Sequence, residues 1–129
     1  MKSITRDMLK IYKPYSGLDW MNYKIVRSDM TAHHILKKEF GGKLELSNVA
    51  LLMSRSHQYL HLIEFKDIET YIALNKLFKM INSQLSEPTR EQRQIVEYLL
   101  RSFESEHKWD KGSKGKLLIQ RKYLDRGSF

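Results

Sequence analysis

The sequence predicts a small α+β protein, and three observations support that class. The apolar run Val49–Met53 has the length and composition of a buried strand. Two later segments, residues 67–81 and 90–106, repeat apolar side chains every three or four positions, as amphipathic helices do. The length of 129 residues is typical of one domain. We therefore expect a single domain, residues 1–129, with a short sheet and several helices.

The first part of the chain gives the weakest signals. Pro14 and Gly17 interrupt residues 1–20, which stay unassigned. Residues 22–26 and 31–36 are short enough, and apolar enough, to be candidate strands.

A turn, a strand and a helix follow. Gly41-Gly42 predicts a turn, and Val49–Met53 is the next strand. Ser54 or Ser56 is a candidate N-cap for a helix directly after that strand. The first turns of this helix would carry His57, Leu60, His61 and Glu64.

A helical extension is predicted over residues 67–107. Asp67 is a candidate N-cap for its first helix. Thr89 with Gln92 three positions later matches a capping box, which predicts a second helix over residues 90–106. Beyond it, residues 110–115 suggest a turn, and residues 116–124 a short strand or helix.

The chain is basic, with 23 Lys and Arg against 15 Asp and Glu, a net charge of +8. The excess is largest in residues 108–129, which we treat as a basic C-terminal tail. Such a charge favours a polyanion such as nucleic acid as a partner, although solubility alone is the simpler explanation.

Two further absences exclude whole classes of function. The chain has no cysteine, which excludes disulfides, thiol nucleophiles and cysteine-based zinc sites. No apolar stretch approaches the roughly 18 residues of a membrane span, and the charged N-terminus does not resemble a signal peptide. We expect a cytoplasmic protein that does not enter a membrane.

The most specific feature of the sequence is a group of histidines. His57 and His61 are four positions apart on a predicted helix, so both rings project from one face and can hold one metal ion. His33 and His34 are adjacent on a predicted strand, so their side chains should point to opposite sides. One of these two can complete the metal site while the other faces a different space.

These residues resemble a known motif. The string His33-His34-Ile35, then Gly41-Gly42, Asn48, His57 and His61, is similar to the HNH nuclease motif in the all-histidine form of the nuclease colicins. It also resembles the small HNH proteins of phages and mobile elements. The resemblance covers about residues 29–64 and implies a ββα-metal finger with flanking and C-terminal α-helices. Many HNH proteins add cysteine pairs for structural zinc, which this chain lacks.

The resemblance implies a role for each residue. His33, His57 and His61 would ligate one divalent metal ion, which is Zn, Ni, Mg or Mn. His34 would be the general base that takes a proton from water, because an imidazole titrates near neutrality. Asn48 would bridge backbone groups and hold His34 in position. The implied function is metal-dependent hydrolysis of phosphodiester bonds in double-stranded DNA, with a homodimer or two successive nicks needed to cut both strands.

Basic residues near the motif are candidate phosphate contacts. Arg55 is favoured because it lies at the predicted N-terminus of the metal helix, and the other candidates are Lys37, Lys38 and Lys43. A second basic set that could follow a DNA backbone comprises Lys111, Lys114, Lys116, Arg121, Lys122 and Arg126.

Three alternatives stay open. The ion can be purely structural, with Glu64 as a fourth ligand. The chain can be an HNH-like scaffold that binds nucleic acid without cutting it. It can also be an accessory or inhibitor protein of a phage or mobile element.

Overall fold

The computed structural model describes residues 2–107 and Arg126. These residues form four α-helices and one two-stranded antiparallel sheet, which confirms the α+β class. In chain order the elements are α1 (Ser3–Tyr12), β1 (Met30–His34), β2 (Val49–Met53), α2 (Ser54–Lys66), α3 (Ile68–Gln84) and α4 (Arg90–His107). Among the described helices, none combines the length and the apolarity needed to cross a bilayer.

The sheet places two of the histidines beside the start of α2. Strands β1 and β2 are antiparallel, with His33 opposite Ala50 and His34 opposite Val49. Every residue of β2 is buried, which agrees with the apolar run that predicted this strand and confirms both of its ends. Strand β1 begins one residue earlier and ends two residues earlier than the predicted strand over residues 31–36.

The predicted strand over residues 22–26 is wrong. Lys24 makes one isolated bridge there, and no ladder forms. Instead, the Asp19 carboxylate accepts backbone N–H bonds from Met21 at 2.9 Å and from Tyr23 at 3.0 Å. A side chain that takes these donors turns the chain and competes with strand pairing.

The first turn of α2 differs from the prediction. Neither Ser54 nor Ser56 is the N-cap: that position belongs to Met53, whose side chain makes no capping bond. Ser56 is buried in the first turn, and its hydroxyl donates to the Asp19 carboxylate at 2.5 Å. The Ser56 hydroxyl therefore bonds to a side chain distant in the sequence and does not cap its own helix.

The caps of the next two helices are as predicted. The Asp67 carboxylate accepts from the backbone N–H of Thr70 at 3.2 Å, which satisfies an orphan donor at the start of α3. The Thr89 N–H donates to Gln92 Oε1 at 2.8 Å, and the Gln92 N–H donates back to the Thr89 hydroxyl at 3.2 Å. This reciprocal pair is the capping box at the start of α4.

Helix α1 lies in the segment left unassigned. Its N-cap, Lys2, supplies no side-chain bond, so the sequence shows no start signal. The helix ends at Tyr12, and the next residue, its C-cap Lys13, has a left-handed φ of 36°. Burial of Met8 and a 2.8 Å bond from the Tyr12 hydroxyl to the carbonyl of Asn82 attach it to the core.

Only part of the apolar face of α3 packs against the core. Leu74, Phe78 and Ile81 are fully buried, as the periodicity predicts. Ile68 and Ile72 belong to the apolar repeat of residues 67–81, yet they are 53% and 46% exposed. These two side chains border an open cleft instead of the core.

The basic tail, with the predicted turn at 110–115 and the element at 116–124, lies outside the described residues except for Arg126. The Arg126 side chain is buried between Glu97 and Glu104, with N–O distances of 2.9 and 2.7 Å. Its assignment to a set of exposed phosphate contacts is therefore wrong, because both carboxylates already engage its guanidinium.

Candidate functional site

Four histidines line one open cavity of about 670 Å³. His33 and His34 come from the end of β1, while His57 and His61 come from one face of α2. The structure thus brings together all four histidines singled out from the sequence. His34 faces the same cavity as the others, not a different space, because it is the last strand residue and the chain turns there.

The rings of three histidines are in mutual contact. His33 Nδ1 lies 3.3 Å from His57 Nε2, and these two rings meet edge to face. His57 and His61 stack with ring centroids 4.8 Å apart, as positions i and i+4 of a helix allow. The His33 and His61 centroids are 6.5 Å apart.

The outer nitrogen of His33, which is the ring nitrogen that points away from the other histidines, is hydrogen-bonded to Asn75 of α3. Asn75 uses its amide nitrogen to donate to the carbonyl of Tyr71 at 3.2 Å, so its amide oxygen faces His33 Nε2 at 2.9 Å. An oxygen there can only accept, which assigns the ring proton to Nε2. His33 Nδ1 therefore carries the lone pair that faces the cavity.

The outer nitrogen of His57 follows the same rule. The Thr31 hydroxyl donates to the carbonyl of Leu52 at 2.9 Å, so towards His57 Nδ1, 3.4 Å away, its oxygen acts as an acceptor. His57 Nδ1 then carries the proton, and Nε2 carries the lone pair.

The His61 ring contacts Glu64. His61 Nδ1 lies 3.5 Å from a carboxylate oxygen of Glu64, which again assigns the proton to the outer nitrogen. Glu64 also pairs with Lys37. The Glu64 carboxylate, raised as a possible fourth ligand, thus contacts His61 and Lys37. Carboxylates that contact the outer nitrogen of a metal-binding histidine have the same arrangement.

The inward nitrogens fit a transition-metal ion. His33 Nδ1 and His57 Nε2 are both acceptors, so their lone pairs face each other across 3.3 Å. Two nitrogens bound to a tetrahedral zinc ion at about 2.0–2.1 Å lie roughly 3.3–3.4 Å apart. The donor chemistry and the spacing of this pair both suit a metal.

Burial keeps both of these imidazoles neutral. The pKa of His33 is lowered to about 4, mainly by burial; the neighbouring histidines contribute to the shift and the hydrogen bond to Asn75 opposes it. Burial likewise lowers the pKa of His57 to about 4, with His61 and His34 adding to the effect. A neutral imidazole retains the lone pair that a metal needs, so both residues are in the binding form at neutral pH.

The ring nitrogens of His33, His57 and His61 do not converge on a single position. His61 is exposed on the solvent side and has to turn towards His33 and His57 before three nitrogens can reach one ion. Within residues 2–107 and Arg126, a different set already has ligand atoms within 4.8 Å of one another: Asp67, Glu106 and His107. The Asp67 carboxylate there is engaged as the N-cap of α3.

Asn48 organises the loop between the strands. Its amide oxygen accepts the Leu36 N–H at 2.8 Å, and its amide nitrogen donates to the carbonyls of Leu36 and Lys43, each at 3.0 Å. A Cβ at Gly42 would collide with the Leu36 carbonyl and lie 2.9 Å from the Asn48 amide nitrogen, so only glycine fits. These contacts hold the chain immediately after His34.

The basic candidates divide between two surfaces. Lys37 and Lys38 line the histidine cavity, whereas Lys43 lines a neighbouring cleft. Arg55, the favoured candidate, lies over the ring of Tyr23 with its guanidinium carbon 4.6 Å from the ring centroid. It does not line the cavity, because it projects from a different face of α2 than His57.

No family model, no curated protein and no solved structure matches this chain. The interpretation of the cavity therefore depends on its own geometry. Sequence reasoning missed two partners, Asn75 and Thr31. The one available signal for Asn75 was a polar residue in the apolar stripe of α3.

Proposed function

We propose that this protein is a metal-dependent endonuclease of the HNH type, with residues 29–64 as a ββα-metal finger. The observation that carries the proposal is the pair of inward lone pairs on His33 and His57, each fixed by a bonded outer nitrogen. His61, on the same face of α2, supplies the third ligand. A divalent cation held there would neutralise charge on a phosphate and on its leaving oxygen.

His34 has the position required of a general base. It lines the cavity beside the three ligands, and no hydrogen bond from the described part of the chain engages its ring. It can therefore accept a proton from a water molecule in the cavity. Asn48 acts as a positioning residue, because its bonds to Leu36 hold the backbone that follows His34.

Lys38 supplies positive charge at the cavity for the phosphate, and Lys37 does so when a phosphate replaces Glu64 as its partner. Water is the nucleophile and the bond to the 3′ oxygen breaks, so the products carry a 5′-phosphate and a 3′-hydroxyl. A cyclic phosphate on RNA would contradict this chemistry.

Nicking assays on supercoiled plasmid and on single-stranded circular DNA, with Mg²⁺, Mn²⁺, Ni²⁺ or Zn²⁺ supplied in turn, test the activity. We expect nicking with at least one of these ions and none in EDTA. Metal and DNA binding without any nicking would favour the non-cleaving scaffold instead.

A calorimetric titration with Zn²⁺ tests the location of the ion. His57→Ala should lower the affinity for zinc, whereas the matched variant His107→Ala, outside the cavity, should not. The opposite result would place the ion at the Asp67, Glu106 and His107 set.

A further inference from the structure

A second, larger cleft adjoins the histidine cavity. It has a volume of about 770 Å³ and lies between the loop over residues 35–48 and α3. Lys37 and Tyr71 line both spaces, so the two lie side by side. The motif residues Gly41, Gly42 and Asn48 form part of its wall, but the proposed hydrolysis takes place in the histidine cavity and not in this cleft.

The floor of the cleft is apolar. Leu36, Ile68 and Ile72 line it and are each about half exposed, at 51%, 53% and 46%. The amphipathic pattern of α3 predicts burial for the two isoleucines, but the core does not cover them. This surface suits a flat, weakly polar ligand.

The rim of the cleft is basic. Lys43, Lys76 and Lys79 line it and are exposed. The acidic residues there are Glu45 and Glu64, and Lys37 pairs with the second of these. An occupant with negative charge along its edge complements this rim.

An aromatic ring is held at the edge of the cleft. Phe40 is 70% exposed and ends a short 3₁₀ turn, Lys38–Phe40. Gly41 follows with a φ of 90°, and Gly42 passes against Leu36, where no side chain fits. The loop therefore presents a large apolar ring to solvent, in a backbone conformation that needs both glycines.

We propose that this cleft binds unpaired bases of a nucleic-acid strand whose phosphates contact the rim lysines. As far as cleavage is concerned, the inference rests on the proposed function. It implies that the DNA cut by this site is single-stranded or locally unpaired. That differs from the double-stranded DNA expected from the sequence.

The chemistry of the cleft distinguishes the two forms of DNA. A duplex keeps its bases stacked inside and presents phosphates, so it gains little from an apolar floor. Exposed bases can stack on Phe40 and cover the isoleucines while their phosphates contact lysines, which is how single strands are bound without sequence preference. The basic rim, and the position of the cleft beside the histidine cavity, favour this occupant over an apolar peptide.

Binding is tested by fluorescence anisotropy in EDTA, so that no cleavage occurs. The probes are a labelled oligo(dT) of about 12 nucleotides and a duplex of the same length. We expect the wild-type protein to bind the single strand more tightly, and Phe40→Ala to weaken that binding by about tenfold while leaving duplex affinity unchanged. Tyr98→Ala, an equally exposed aromatic on α4, is the matched control and should change nothing.

The lysine rim is tested by the salt dependence of the same binding. Lys76→Ala should reduce the slope of log affinity against log salt by about 0.7, the value for one phosphate contact on a single strand. Lys24→Ala, which is exposed but does not line the cleft, should leave the slope unchanged.

The outcomes separate the cleft from the nuclease. Preferential single-strand binding that depends on Phe40, in a protein that never nicks DNA, would support the cleft and contradict the proposed function. Equal or tighter binding of the duplex, wild-type affinity in Phe40→Ala, or no binding of either probe would overturn the inference. Each of these three results would overturn the inference about the cleft even if the protein nicked DNA.

Discussion

Adjacent residues on α2 enter two different polar clusters. The Ser56 hydroxyl points to Asp19, which is fully buried, while His57 points to the histidine cavity. The Asp19 carboxylate accepts four hydrogen bonds: from the backbone N–H groups of Met21, Tyr23 and Met53, at 2.8–3.0 Å, and from Ser56. All of its lone pairs are used within the chain.

The histidine cluster is not completed in this way. Its outer nitrogens are bonded to Asn75 and Thr31, yet the inward nitrogens of His33 and His57 are two acceptors that face each other. Two facing lone pairs need a cation or a proton between them. Burial alone therefore does not separate the two clusters, whereas the balance of donors and acceptors does: it is complete around Asp19 and incomplete between His33 and His57.

The largest difference between the clusters should appear in catalysis. His34→Ala removes the proposed base but no buried contact, so we expect cleavage to fall by about 10²–10⁴-fold. The zinc affinity and the unfolding temperature should match those of the wild type. Cleavage at the wild-type rate by pure His34→Ala protein would show that His34 is not the base.

Replacement of Asp19 should have the opposite signature. Asp19→Ala leaves buried donors unsatisfied, each costing about 1–3 kcal/mol, so the free energy of unfolding should fall by about 3 kcal/mol or more. Urea denaturation measures this change. Asp7→Ala, at an exposed position on α1, is the control, and equal stabilities of the two variants would disprove the structural role of Asp19.

The stability of metal-free protein should depend on pH through the histidines. The pKa of His33 and that of His57 are each about 4 in the folded state, against about 6.5 in an unfolded chain. Between these values the unfolded chain binds more protons. The contribution of these neutral histidines to the free energy of unfolding is therefore complete above about pH 6.5. It is lost as the pH falls towards 4, by on the order of 3 kcal/mol for His33.

Urea midpoints measured in EDTA between these pH values provide the check. Other carboxylates also titrate in this range, so the informative quantity is the difference between variants. His33→Leu should flatten the dependence, whereas His107→Ala should retain it. Identical slopes in the wild type and in His33→Leu would show that burial of His33 does not perturb its titration.

The smallest expected effect concerns Asn75. Asn75→Leu removes the acceptor that fixes the His33 proton on Nε2, so zinc affinity should fall by about tenfold. Asn75→Asp retains an acceptor oxygen and should restore most of the affinity. If both variants bind zinc like the wild type, the amide does not orient His33, and the two clusters differ less than their hydrogen bonds indicate.

The sequence alone determined the elements whose signals are local. Val49–Met53 was predicted with both ends correct because five successive apolar residues need burial on both faces. The Asp67 cap and the Thr89–Gln92 box were predicted because their partners lie three residues away. The pairing of His57 with His61 followed from helical spacing alone.

Only the tertiary structure decided features that depend on distant partners. Asn75 reaches His33 across 42 positions, and Asp19 captures Ser56 across 37, so no local pattern shows either contact. Arg55, the favoured candidate for a phosphate contact, likewise lies over the ring of Tyr23 and does not line the cavity. The histidine residue types and their spacing could be found by inspection of the chain. Which nitrogen of His33 and of His57 faces the cavity could not, because that depends on oxygens that folding brings from α3 and from β1.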